Sequence, residues 1–178
     1  EVRAAFEGAY NTGAVCDFVT ESQIEAGALA RYKLVIVPRA AHTPDAVLRA
    51  FQEYIEKGGT VMTVGPCFTH DEYGRARRQG LVQSRDGRLA IYPDPLTPHA
   101  YRDIIDRLLD AAGAARPIRI EGPYGEPVWG VNLRAVEYRG QLLVSLLNLT
   151  REPKRVRLVA NAPVRRTFDV MNQKEIAS

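Results

Sequence analysis

Leu34-Val35-Ile36-Val37 and Thr60-Val61-Met62-Thr63-Val64 frame the stretch whose reading decides the fold. The first is a short, unbroken apolar run, the pattern of a strand buried on both faces. Thr43-Pro44 follows as a helix-start signal, a capping threonine ahead of a proline in the first turn. Val47, Leu48, Phe51, Tyr54 and Ile55 then recur at the spacing of one helical face, and Gly58 stands where a C-terminal glycine belongs. The second apolar run starts at once. Strand, helix and strand in so few residues predict a right-handed parallel βαβ unit, and with it a layered α/β domain.

Upstream, Val2, Ala5, Phe6, Ala9 and Tyr10 predict a helix. Such a helix normally follows a strand in an α/β domain, so the expectation is that a first strand lies before Glu1 and that the chain is a segment of a longer polypeptide. Val15 to Val19 reads as a short outer strand, and Thr20-Glu21-Ser22-Gln23 as a capping box opening a short helix with Ile24 and Leu29. Residues 66 to 80 lack periodicity and form an excursion at the carboxyl end of a strand. Leu81-Val82-Gln83 and Leu89-Ala90-Ile91-Tyr92 flank Arg85-Asp86-Gly87-Arg88, a hairpin signal. Thr97-Pro98 starts a second strong amphipathic helix through Tyr101, Ile104, Ile105, Leu108, Leu109 and Ala112, closed by Gly113.

From Pro117 the helical period disappears. Val128 to Tyr138 and Gln141 to Leu149 are extended runs joined by Arg139-Gly140; Lys154 to Ala160 and Arg165 to Val170 follow. These predict an antiparallel β-meander, too small to bury much core by itself. Two domains are therefore expected, 1–113 and 114–178. Charge supports the division: residues 1–113 carry 13 Lys+Arg against 15 Asp+Glu, residues 114–178 carry 11 against 6. The basic excess is either a patch for an acidic partner or a solvated sheet face. Arg155 and Arg157, alternating with Val156 and Leu158, favour the face.

Composition excludes several classes. A net charge of +3 in 178 residues is too small to imply nucleic acid. Two cysteines exclude a disulfide scaffold and a cysteine-based zinc cluster. No apolar run approaches the roughly 20 residues of a membrane helix, and no signal peptide is read at the start, so the cytoplasm is favoured. Neither a P-loop nor a dinucleotide fingerprint nor a zinc-ligand pattern is present, so no cofactor or metal is expected.

Three places could carry chemistry. Gly65-Pro66-Cys67-Phe68 puts a thiol just after a strand, as a nucleophile elbow does, with His70 and Glu72 nearby. An elbow needs small neighbours and an immediate helix whose amides stabilise an oxyanion; Pro66, Phe68 and Thr69 deny both, so Cys67 reads better as a small hydrophobe at a strand end. His70-Asp71-Glu72-Tyr73-Gly74-Arg75 could act in acid/base work, in binding, or simply as a solvated loop paired with Arg75, Arg77 and Arg78. Adjacent carboxylates on extended chain point apart, which argues against a shared ligand for Asp71 and Glu72. Trp129, beside Tyr124 and Pro127, could stack on a sugar or plug a small core. His42 and His99 adjoin helix caps and read as solvent-facing, and the glycosylation acceptor pattern Asn148-Leu149-Thr150 is discounted for want of a secretory signal.

Phe18-Val19-Thr20-Glu21-Ser22-Gln23-Ile24, Tyr32-Lys33-Leu34-Val35-Ile36-Val37-Pro38 and Glu56-Lys57-Gly58-Gly59-Thr60-Val61, in that order, resemble the trimerisation domain of bacterial β-galactosidases. Asp71-Glu72-Tyr73-Gly74-Arg75 resembles its charged loop. Leu146-Leu147-Asn148-Leu149-Thr150-Arg151-Glu152-Pro153 is similar to the small β-sandwich that follows in such glycoside hydrolases. The resemblance implies a flavodoxin-like, class I glutamine-amidotransferase-like three-layer sandwich without amidotransferase chemistry, its first strand absent here, then a small antiparallel β-sandwich. It further implies a homo-oligomer and a retaining hydrolase of β-galactosides. In that family the two catalytic glutamates sit on an upstream (β/α)₈ barrel of about 250 residues, so no glutamate here inherits the role. Asp71, Glu72, Tyr73, Arg75 and Trp129 are then interface or cleft-rim residues, and carbohydrate is met through the parent enzyme. Two other readings stay open: an amidotransferase-like hydrolase using Cys67, and a carbohydrate-binding module using Trp129 and Tyr124.

Overall fold

The structure, a computed structural model, describes residues 1–176; residues 177 and 178, the end of the second expected domain, lie outside the described residues. The chain forms two compact units, Glu1–Ala114 and Ala115–Ser178. The first is mixed α/β with a parallel sheet, and the second carries small antiparallel sheets.

In the first unit, α1 (Val2–Tyr10), α2 (Glu21–Glu25) and a short 3-10 helix (Ala28–Arg31) precede β1 (Leu34–Pro38), α3 (Asp45–Glu56), β2 (Thr60–Val64), β3 (Arg88–Tyr92) and α4 (Pro98–Ala111). The expected βαβ unit is there: β1 and β2 pair in parallel with Leu34 opposite Thr60 and Val37 opposite Thr63. β2 is the central strand of the order β1-β2-β3 and is buried throughout. Its alternation feeds two cores. Met62 and Val64 face α1 and α4 with Tyr101, Ile105 and Leu108, while Val61 faces α3 with Val47, Phe51 and Ile55.

Local chemistry sets the helix ends. The Thr20 capping box is complete, with its hydroxyl accepting from the Gln23 amide and the Gln23 side chain accepting from the Thr20 amide. Thr97 caps α4 by accepting from the Ala100 amide, with Pro98 at the first position. Gly58, at φ +91°, closes α3 in a left-handed conformation that any side chain would strain; its amide donates to the Ile55 carbonyl and that of Gly59 to Tyr54. Gly8 lets α1 lie against α4, because a Cβ there would stand 2.5 Å from the Tyr101 Cβ.

Three local expectations are corrected. Thr43 does not cap α3: it is buried, its hydroxyl donates to the Ala40 carbonyl, and the helix begins one residue after Pro44. Residues 81–83 form no hairpin with 89–92. β3 instead pairs in parallel with β2, Leu89 opposite Val61, while Gln83 spans the intervening bend, accepting from the Leu89 amide and donating to the Gly87 carbonyl. Val15 to Val19 is extended but joins no ladder.

The second unit contains β4 (Ile118–Glu121), β5 (Val131–Tyr138), β6 (Gln141–Asn148), β7 (Arg157–Ala160), β8 (Thr167–Asp169) and β9 (Lys174–Ile176). β5 and β6 form the expected hairpin, turned by Arg139 at φ +51° and Gly140 at φ +73°. A simple meander is not formed, because β4, unread in the sequence, pairs with β7. Trp129 precedes the strand rather than starting it, since Gly130 at φ +78° interrupts the run after Val128. The core is Ile118, Ile120, Val128, Val131 and Leu133.

Candidate functional site

Open parallel sheets present their chemistry at the carboxyl ends of their strands. Here that rim carries two non-glycine residues in the left-handed region, Arg39 after β1 (φ +56°) and Phe68 after β2 (φ +57°). Sparsely populated backbone at such a rim points to a site. The rim is built mainly from residues 65–80.

Gly65 turns the chain away from β2, its amide donating to the Tyr92 carbonyl. Cys67 is half-buried, and its thiol donates to the carbonyls of Val37 at 3.1 Å and Val64 at 3.6 Å. Phe68 is buried edge-on to Phe51 at 5.1 Å, and its amide donates to Ala40. No helix follows Cys67. Its sulfur is thus directed at main-chain acceptors, not at an open oxyanion site. The His70 amide donates to the Ala41 carbonyl, and its Nδ1 lies 3.0 Å from the Thr69 hydroxyl. The His70 ring stacks on His42 at 5.0 Å, a pairing the sequence did not suggest.

Beyond His70 the loop makes a tight turn. Asp71 Oδ1 accepts from the amides of Tyr73 and Arg75 at 3.0 and 2.8 Å, and the Gly74 amide donates to the Asp71 carbonyl. The Arg75 amide foremost, opposed by desolvation and helped by the Tyr73 amide, holds the Asp71 carboxyl below the usual carboxylate range. Asp71 is therefore a turn-former, while Glu72 is exposed. Tyr73 projects from the tip, 76% exposed, with the Arg75 guanidinium 5.6 Å from its ring centre. Among the described residues no group of three or more His, Cys, Asp or Glu is placed to hold a metal.

Arg77 fastens the loop. Its side chain is 10% exposed, and it donates to the carbonyls of His70 and Thr43 and to the Asp45 carboxylate, with Nε 3.1 Å from Oδ1. Sequence reasoning placed Arg75, Arg77 and Arg78 together as partners of the loop carboxylates; the structure sends Arg77 to the first turn of α3 instead. No spacing rule distinguishes it from its neighbours, because the acceptors lie on another element. Arg39 was also missed; a Cβ on Gly65 would stand 2.9 Å from its Cγ, so a glycine is what lets that side chain cross the rim.

The other candidates lie elsewhere. A groove of about 620 Å³ runs between α2, the 3-10 helix and α3, at the amino end of the strands, lined by Leu29, Tyr32, Arg49, Glu53 and Tyr54. In the second unit Trp129 is half-buried, while Tyr124 is 96% exposed at the tip of a turn closed by the Gly122 amide on the Glu126 carbonyl. No helix is long and apolar enough to cross a membrane among the described residues.

Residues 1–81 match the family model described as β-galactosidase trimerisation domain. Among solved structures, the apo exo-carrageenase GH42 from Bacteroides ovatus is similar over 99% of this chain and 24% of its own, at 18% identity and a TM-score of 0.75. Gan42B, a GH42 β-galactosidase from G. stearothermophilus, is similar over 97% of this chain and 33% of its own, at 14% identity and a TM-score of 0.71. These likenesses are of fold. The chain spans about a quarter to a third of the length of those enzymes. No curated protein matches it.

Proposed function

We propose that this chain, whose residues 1–81 match the family model described as β-galactosidase trimerisation domain, is the non-catalytic assembly segment of a glycoside hydrolase. The catalytic barrel is then carried by the same polypeptide outside these residues, and the natural substrate is a β-linked galactoside or a related sugar. The observation that carries this reading is the Arg77-fastened loop. A site for nucleophilic chemistry exposes its nucleophile. This loop turns its thiol onto carbonyls and offers solvent a stacked Tyr73–Arg75 pair. Tyrosine and arginine are the residues that most often carry contact energy between chains.

The first unit is read as flavodoxin-like, supported by parallel β1, β2 and β3 with helices on both sheet faces. The first domain is taken to end near residue 113 and the remainder to be a small β-sandwich. Asp71 and Glu72 flank the contact surface, Asp71 by shaping the turn and Glu72 by its charge. Trp129 is assigned to carbohydrate or to an interface in the parent enzyme.

The test uses the full-length protein. Tyr73→Ala combined with Arg75→Glu is expected to weaken self-association at least about tenfold, as loss of a central aromatic–arginine contact does. Sedimentation equilibrium reads that change. Unaltered association in the double variant would remove the loop from the interface.

A further inference from the structure

The carboxyl rim of the sheet holds two histidines that the proposed assembly role does not use. Past the strands, the segments that follow β1 and β2 run side by side. The Phe68 amide donates to the Ala40 carbonyl, the His70 amide to that of Ala41, and the Thr43 amide back to His70. His42 and His70 thereby form a parallel bridge, which puts their side chains on one face of the paired backbone. Their ring centres lie 5.0 Å apart with a tilt of 26°. Thr43 and Phe68, both buried, hold the two segments in place.

The Thr69 hydroxyl sets the protonation of His70. It lies 3.3 Å from the Ala41 carbonyl, to which it donates, and 3.0 Å from His70 Nδ1. With its one proton on the carbonyl, the hydroxyl oxygen accepts from Nδ1. Nδ1 then carries the ring hydrogen and Nε2 the lone pair. A relay from ring N–H to hydroxyl to carbonyl is the support that metal-binding imidazoles ordinarily have, and it fixes the ring. His42 is exposed, and rotation about its terminal torsion is soft.

Two imidazoles on one ion place their ring centres about 4.5 Å apart at a right angle and about 5.2 Å at the tetrahedral angle, for metal–nitrogen bonds of about 2.0–2.1 Å. The observed 5.0 Å lies inside that span, so turning the His42 ring is the adjustment needed. Neighbouring charge does not forbid a cation. Arg77 is paired with Asp45, Arg75 lies over the Tyr73 ring, and Asp71 adjoins His70 in the chain. Imidazole suits zinc, copper and nickel, whereas magnesium and calcium take oxygen.

We propose that His42 and His70 bind one divalent cation of the zinc class, through Nε2 of His70 and a ring nitrogen of His42, with water completing the coordination. The ion ties the loop after β2 to the segment after β1, beside the anchor that Arg77 makes to α3. With two protein ligands the site is open and its ion exchangeable, so the staple follows metal supply. This rests on rim geometry alone and stands or falls apart from the assembly role.

Zinc binding to the full-length protein tests it. Equilibrium dialysis against Zn2+ should find one ion per chain more in the unaltered protein than in either His42→Gln or His70→Gln. Thr69→Val keeps both imidazoles and removes the relay, and should weaken that binding at least about tenfold. Limited proteolysis between residues 70 and 80 reads the staple separately. At free zinc about ten times its dissociation constant, cutting should slow about tenfold, and Mg2+ should have no effect. Equal zinc uptake by the unaltered protein and the two histidine variants would overturn the proposal. So would an ion lost with only one of the two histidines, or protection that survives either substitution. Undiminished affinity in Thr69→Val would refute the assigned tautomer and with it the site as described.

Discussion

Arg77 bonds to Asp45 across the carboxyl rim of the sheet, joining the loop after β2 to the first turn of α3. The aspartate is 69% exposed, so the ion pair itself contributes little. The near-buried guanidinium matters more, because it also satisfies the His70 and Thr43 carbonyls.

Arg77→Met keeps the stem and removes those donors. It should lower stability by about 1–3 kcal/mol, the usual cost of leaving such acceptors unmet. Urea denaturation reads that loss. Limited proteolysis should show faster cutting between residues 70 and 80. A variant as stable and as resistant as the parent would show that the loop is held by other means.

Cys67 donates to two carbonyls and has no following helix, so Cys67→Ser should leave unchanged the glycoside-hydrolase rate proposed for the full-length protein. Native Cys67 should react with iodoacetamide no faster than an ordinary half-buried thiol. Loss of activity in the serine variant would return the thiol to the list of reacting groups.

Tyr101 is fully buried, and burial first, then its bond and charge interaction with Glu1, push the phenol well above its ordinary value. A folded-state value above the unfolded one favours the protonated form. The stability so gained is complete below the unfolded value of about 10 and is lost as pH rises beyond it toward the folded value. Ultraviolet titration should therefore find Tyr101 silent above pH 10 until unfolding, beside Tyr54, which burial also raises. In Tyr101→Phe the step at unfolding should lose that tyrosine; Tyr101 ionising normally in the native protein would contradict the placement.

Much of the first unit was legible because its signals are local. The βαβ unit, the Thr20 capping box and the Thr97-Pro98 start are set by residues within a few positions of one another. What misled was pairing over distance. Arg85-Asp86-Gly87-Arg88 has hairpin chemistry, but Leu89–Tyr92 gains more by lying along β2, and Gln83 satisfies the bend with its side chain. β4 was missed because four residues, Ile118–Glu121, become a strand only through β7, far along the chain. Val15–Val19 has the alternation of a strand but joins no ladder among the described residues. At the rim, the split of Asp71 from Glu72 follows from adjacency, whereas the choice of Arg77 depends on acceptors that no local pattern reveals.

The central claim is that this chain assembles an enzyme and does not itself break bonds. Light scattering coupled to size exclusion on the full-length protein tests it most directly. The proposed assembly role, motivated by the match of residues 1–81 to the trimerisation-domain model, predicts a mass three times that of one polypeptide. A single-chain mass at every concentration would contradict it.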